Sequence, residues 1–265
     1  MLKRICRSYE AHKQNWQARH FEKTKIGRQL LKYKNLHQGE KCFIIGNGPS
    51  LRAEDLQKLH ENGIISFGTN RIYNIFDQTE WRPTYYVSED IIILKDIQRV
   101  IETIPANAKF IPINLKWYEG VNIEGVQYFY LDYSGEYPQT YGLSLDIPHG
   151  IRCRGTVTMT CIQMAIYMGF SEIYLLGVDH NYSRIIDENG NVIENPDVKD
   201  YFSTNYDTDF KSHITRNLHG TTHAFCCAER LSKDMMNFKI SNATRGGKLE
   251  AFHRVDFNAL FGGIV

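Results

Sequence analysis

Three short turns, each closing an apolar run, carry the side chains of this chain best suited to chemistry. Gly46-Asn47-Gly48-Pro49-Ser50 follows Cys42–Ile45 and precedes a helical pattern. Gly68-Thr69-Asn70-Arg71 ends a second run, and Gly177-Val178-Asp179-His180-Asn181-Tyr182 ends a later one. Glycines at such turns let another backbone or a ligand come close. Asn47 offers both an amide donor and an acceptor, and Ser50 stands where it would cap the following helix. A tight strand-to-helix turn with these residues suits one phosphate and a sugar.

Other nucleotide and metal chemistries fit less well. A dinucleotide fingerprint needs a third glycine where Leu51 stands, and an acidic residue where Asn70 ends the second strand. The P-loop signature G-x-x-x-x-G-K-[ST] is absent, as is the G-x-S-x-G nucleophile turn. Asp207-x-Asp209 is a short pattern in a polar excursion, so no metal site is expected from it. The ten histidines show no H-E-x-x-H spacing. His149, His180, His213, His219 and His223 fall near loops or helix starts, where a single imidazole can serve as a general base.

The elements that must position these groups alternate. Strands are expected at 41–46, 63–68, 84–88, 108–113, 126–131, 172–178 and 238–247, and helices at 51–61, 89–103, 155–168 and 220–236. Most of the strand runs are continuously apolar, as in strands buried on both faces. The pattern predicts an α/β fold: a mostly parallel, Rossmann-like α/β/α sandwich, with ligands bound beyond the carboxyl ends of the strands. Residues 1–38 are polar and basic and read as an N-terminal helical extension to a catalytic domain at 39–265. The Asn/Asp-rich stretch at about 181–216 reads as a lid.

Composition narrows the classes further. Lys plus Arg is 31 and Asp plus Glu is 30 in 265 residues, so no global field favours nucleic acid. The six cysteines have no C-x-x-C spacing, which fits reduced thiols rather than a disulfide framework. No secretory h-region and no spanning apolar run is present, so a cytoplasmic location is expected. Contact of the basic N-terminus with the inner face of a membrane stays open, and so does a homo-oligomer.

Taken together, "FIIGNGPSL", "FGTNRIY", "GTVTMTCIQMAIYMGFSEIYLLGVDHNY" and "ISNATRGGKLEAFHRVDF" resemble the 6-hydroxymethylpterin pyrophosphokinase-like family. They are similar, more distantly, to the CMP-sialic acid-dependent sialyltransferases of glycosyltransferase family 42 and to the motility-associated flagellin glycosyltransferases. The resemblance covers roughly residues 40 to 258. It implies donor-nucleotide contacts at Gly46, Asn47, Gly48, Ser50 and Asn70, at Thr156 and Thr158 on the long helix, and at Asp179. It also implies cytosine recognition at Asn242 and Thr244. Tyrosines that bind the leaving phosphate correspond to the region of Asn181 and Tyr182, with Asn181 at the first such position. The catalytic lid histidine has no direct counterpart, and His213 is the nearest one in the lid.

This resemblance implies glycosyl transfer from a CMP-activated acid sugar to a bacterial surface glycan or glycoconjugate, inverting and without a required metal cofactor. Donors of hydrogen bonds must surround the departing phosphate, and a base must take the acceptor proton. The backbone N–H groups of Gly46–Gly48, with Asn47, Asn70 and Tyr182, are expected to supply the first. His213 or His180 is expected to supply the second. The alternative, an ATP- and Mg²⁺-dependent pyrophosphokinase, would place metal on Glu89, Asp90 and Asp179 and phosphates on Arg71, Arg152 and Arg154. A non-catalytic nucleotide-binding subunit is a third reading.

Overall fold

A computed structural model of the chain describes residues 16–134, 142–204, 206 and 215–262. His213, Asp207 and Asp209 lie outside the described residues, as does most of the first half of the basic N-terminus.

Eight parallel strands form the central sheet: β1 (Lys41–Ile45), β2 (Ile65–Thr69), β3 (Tyr85–Val87), β4 (Ala108–Pro112), β5 (Gln127–Phe129), β8 (Glu172–Leu176), β12 (Lys239–Asn242) and β13 (His253–Arg254). Their order is β13-β12-β8-β1-β2-β3-β4-β5. The chain winds outward from β1 through β5, then returns to β1's other side with β8. The carboxyl end of β1 is therefore a topological switch point, where open α/β sheets bind ligands.

Alternation along each strand feeds two cores. Cys42 and Ile44 face one side with Phe67 and Val87, against α6 (Val157–Met168) and α7 (Leu218–Met235). Phe43 and Ile45 face the other, against α2 (Ala53–Glu61), α3 (Ile91–Asp96) and α4 (Gln98–Thr103). Helix α6 is buried on nearly every side. Thr156 caps its start by accepting from the Thr158 N–H, and Gly169, at φ +89°, ends it.

The short helix α1 (Lys25–Gln29) and the 3₁₀ turns around it sink Phe21, Leu30 and Tyr33 into the first core. Asn35 and His37 donate to the Tyr167 and Met168 carbonyls, satisfying orphaned groups at the end of α6. This part of the N-terminus shares its core with the sheet.

Several expected elements differ in detail. The run 126–131 splits: β6 (Leu131–Asp132) leaves the main sheet and pairs with β7 (Ile151–Arg152). The helix expected over 89–103 breaks at Ile97 into α3 and α4. A further helix, α5 (Asn114–Glu119), follows β4, and β13 forms a last strand that the sequence pattern does not announce. The segment read as an irregular lid contains a small sheet of β9 (Arg184–Ile186), β10 (Val192–Glu194) and β11 (Arg216–Asn217). An Asp187 turn that accepts from the Asn189 and Asn191 N–H groups joins β9 to β10. Among the described residues no helix is long and apolar enough to cross a membrane.

Candidate functional site

The ends of β8, β1, β2 and β3 open into one cleft, about 940 Å³ of space when the open solvent at its mouth is counted. Gly46, Asn47, Gly48, Asn70, Thr156, Thr158, Asp179, His180, Asn181 and Tyr182 all line it. Three turns far apart in sequence meet there because their strands are neighbours.

The opening turn works differently from expectation. The Gly46 N–H donates to the Leu176 carbonyl at 2.8 Å and the Gly48 N–H to Gly177 at 2.9 Å. Both are spent on β8 and cannot serve a phosphate. The glycines instead admit the neighbouring turn: a Cβ at Gly46 would overlap the Gly177 carbonyl, and one at Gly48 the Asp179 carboxylate. Ser50 does not cap α2, whose N-cap is Arg52. Its hydroxyl donates to Asp179 Oδ2 at 2.7 Å, tying the β1 and β8 turns together. Burial raises the Asp179 pKa, and the Ser50 hydrogen bonds pull it back.

Asn47 is fixed by its amide, which donates to the Thr69 carbonyl and to Thr69 Oγ1, both at 3.0 Å. Its Oδ1 is left buried with no partner among the described residues. Such an orphan costs about 1–3 kcal/mol. Asn70 sits at φ +49°, an uncommon conformation for a residue with a side chain. Its Oδ1 accepts from Ser88 Oγ at 2.8 Å, which leaves its amide protons for another acceptor. His180 is also left-handed, at φ +53°. The Thr222 hydroxyl donates to Leu218 at 2.8 Å, so it accepts from His180 Nε2 at 2.7 Å. That network assigns the lone pair to Nδ1. Burial pushes the His180 pKa down to about 4, far from a working base.

Asn242 and Thr244 do not reach the cleft. The Asn242 amide donates to the Leu249 carbonyl and its Oδ1 accepts from the Thr244 N–H. Thr244 Oγ1 accepts from the Val178 N–H. Strand β12 lies beyond β8, so these side chains support the Asp179 turn from behind. The arginines offered for a triphosphate lie elsewhere too. Arg71 pairs with Asp96 at 2.6 Å, Arg154 donates to the Cys153 and Gly142 carbonyls, and Arg152 is not among the lining residues. Glu89, Asp90 and Asp179 do line the cleft, yet Asp90 is committed as the N-cap of α3. No group of three His, Cys, Asp or Glu side chains set to hold a metal occurs among the described residues.

Two residues gain weight from the structure. Arg216, where β11 meets α7, is the one guanidinium lining the cleft among the described residues. It donates to the Tyr201 hydroxyl at 2.7 Å and lies 5.7 Å from the Tyr182 ring centroid. No carboxylate among the described residues pairs with it. No motif marks Arg216 in sequence, because it follows a long polar excursion. Glu89, just past β3, is 8% exposed and accepts a hydrogen bond from Thr160. Burial raises its pKa to about 7, the Thr160 bond opposing and Asp90 adding to the rise. The lid is fastened to the opening turn, since Phe202 N donates to the Asn47 carbonyl at 3.0 Å. Tyr201 stacks on Tyr206 at 3.8 Å beside the cleft.

The sequence matches none of the curated proteins. Among solved structures, the MAf glycosyltransferase from Magnetospirillum magneticum AMB-1 aligns with a TM-score of 0.49 and 16% identity, over 91% of this chain and 39% of that one. The chain thus spans well under half of that protein's length. Residues 16–184 match the family described as 6-hydroxymethylpterin diphosphokinase MptE-like. With well over half of its residues matched, the chain belongs to the MptE-like family.

Proposed function

We propose that the protein is a glycosyltransferase that moves an acid sugar from CMP to an acceptor hydroxyl, a surface glycan or glycoconjugate being the expected acceptor. The observation that carries this reading is Arg216, a shielded cation in the cleft with no carboxylate partner among the described residues. An unpaired desolvated charge is costly, and an anionic ligand offsets that cost. The N-terminus of the 12-residue helix α6 lines the same cleft through Gly155–Thr158 and carries about half a positive charge. One guanidinium and one helix end match a single bridging phosphate better than a triphosphate. Asn47 Oδ1, buried and unpartnered, fits a sugar hydroxyl as donor. The spare amide protons of Asn70 fit an acceptor on the same ligand.

In this reading, the departing CMP phosphate gains charge as the anomeric bond breaks. Arg216 and the α6 N-terminus stabilise it there, while the Phe202–Asn47 contact holds the lid over the donor and limits its hydrolysis. The family description names a diphosphokinase. That reaction also transfers a group from a nucleotide to a hydroxyl, and the Glu89, Asp90 and Asp179 carboxylates keep it as the competitor. The discriminating assay follows turnover. CMP release from a CMP-activated sugar, dependent on an acceptor and unchanged by EDTA, is expected. AMP formation from ATP, with Mg²⁺ and a hydroxymethylpterin, in the absence of any CMP release, would replace this reading with the other.

A further inference from the structure

We propose that residues 16–36 form a docking surface for an anionic bilayer, whichever group the cleft transfers. The chain is close to neutral, with Lys plus Arg 31 and Asp plus Glu 30, yet its charge is unevenly placed. Residues 1–38 hold ten Lys and Arg against Glu10 and Glu22, a net of +8, so the other 227 residues carry −7. An asymmetry of that kind orients a molecule at a charged surface. In the described part of the segment, Arg19, Lys23, Lys25, Arg28, Lys32 and Lys34 are all exposed. Of these six, only Lys23 has a carboxylate within 4.0 Å among the described residues, that of Glu22 beside it. The rest of the positive charge is left for a partner.

The segment is part of the fold rather than a loose arm. Phe21, Leu30 and Tyr33 are buried in the first core, and the Asn35 and His37 N–H groups hold the following turn to the end of α6. This anchoring leaves Trp16, Leu31 and Leu36 outward, each half exposed or more. Leu31 and Leu36 flank Lys32 and Lys34 on that turn, where the Lys34 N–H donates to the Leu31 carbonyl and the Leu36 N–H to the Tyr33 carbonyl. Apolar side chains among lysines fit the boundary between headgroups and acyl chains, where the leucines gain from burial and the lysines from phosphates. A nucleic acid would meet the charges and leave the leucines in water. A second copy of this chain offers only dispersed acidity, −7 over 227 residues, so the lipid surface is the better fit.

The turn and the cleft lie at opposite ends of α6. The helix starts at the cleft with Thr156 and Val157 and ends at Gly169, beside Asn35. Its 12 residues span about 18 Å. Lipid contact through Leu31 and Leu36 therefore leaves the cleft open, and it brings the cleft within reach of an acceptor held at a membrane.

The test is co-sedimentation of the full chain with vesicles of phosphatidylcholine, alone or with one-third phosphatidylglycerol, at low and high salt. Binding should require phosphatidylglycerol and fade at high salt, because salt screens exposed charges. Lys32→Gln/Lys34→Gln removes two cations, each contributing about fivefold to partitioning, and should weaken binding roughly 25-fold. Leu31→Ser/Leu36→Ser keeps the charge and the salt dependence but should weaken binding about tenfold through lost apolar burial. All four side chains are exposed, so both variants should melt as wild type does. Wild type that stays in the supernatant at low salt, or variants that bind as wild type does, overturn the assignment. So does binding of duplex DNA, or a salt-sensitive dimer by light scattering, without vesicle binding, since the patch then serves that partner. None of these outcomes bears on the transferase reading, which CMP release tests.

Discussion

Arg216→Met should weaken CMP binding by about ten- to a hundredfold while leaving the melting temperature unchanged or slightly higher. The two halves come from one feature. The guanidinium is shielded beside Tyr182 and Tyr201, with no carboxylate among the described residues to neutralise it. A hydrogen bond from a charged group to a ligand contributes about 1.5–3 kcal/mol, which sets the size of the loss. Without ligand, the charge is a burden to the fold, since replacing a desolvated charge by an apolar group of similar length is often neutral or stabilising. A residue that merely braced the lid would behave oppositely, with a lower melting temperature and an intact affinity. Calorimetry and thermal unfolding on the same sample separate the two.

Gly46→Ala should destabilise the protein by roughly 2–3 kcal/mol, at the upper end of overpacking costs. In a domain of this size that is a fall of about 5–10 °C in Tm. The added methyl would meet the Gly177 carbonyl oxygen, with its carbon at 2.9 Å and Val178 Cγ2 at 3.0 Å. Those are backbone and strand-end atoms, paired through Gly46 N to Leu176, so they cannot swing aside as a flexible side chain would. Moving them displaces Asp179 and the cleft wall, and CMP binding should fall with stability. Gly142→Ala is the control, because no atom of the described residues lies within 4 Å of its added methyl. Equal melting temperatures for the two variants would show that β1 and β8 do not need this close approach.

The parts of the site visible in the sequence are those carried by strand ends. Continuous apolar runs such as Cys42–Ile45 mark doubly buried strands, and parallel strands bring their carboxyl ends to one edge whatever their separation in sequence. That logic places Asn47, Asn70 and Asp179 together. It does not assign partners. The N–H groups of Gly46 and Gly48 look available in the sequence and are consumed by β8, because only the folded sheet sets that turn against the next. Ser50 reads as a helix cap by position, yet its hydroxyl finds the Asp179 carboxylate, 129 residues away. Asn242 and Thr244 sit at a strand end like the others, but β12 is one strand too far out to face the cleft. Arg216 comes from a segment with no periodicity, and its role depends on where β11 pairs with β9. Glu89 is plain in the sequence as an acid after a strand. Its near-neutral titration is not, since that follows from burial under α6.

Whether the cleft is built for one nucleotide phosphate is decided by titrating the protein with CMP and with ATP, each in Mg²⁺ and in EDTA. CMP should bind saturably, with the same affinity in both buffers and more weakly in Arg216→Met. Binding of ATP that requires Mg²⁺, with no heat from CMP, would contradict a one-phosphate site.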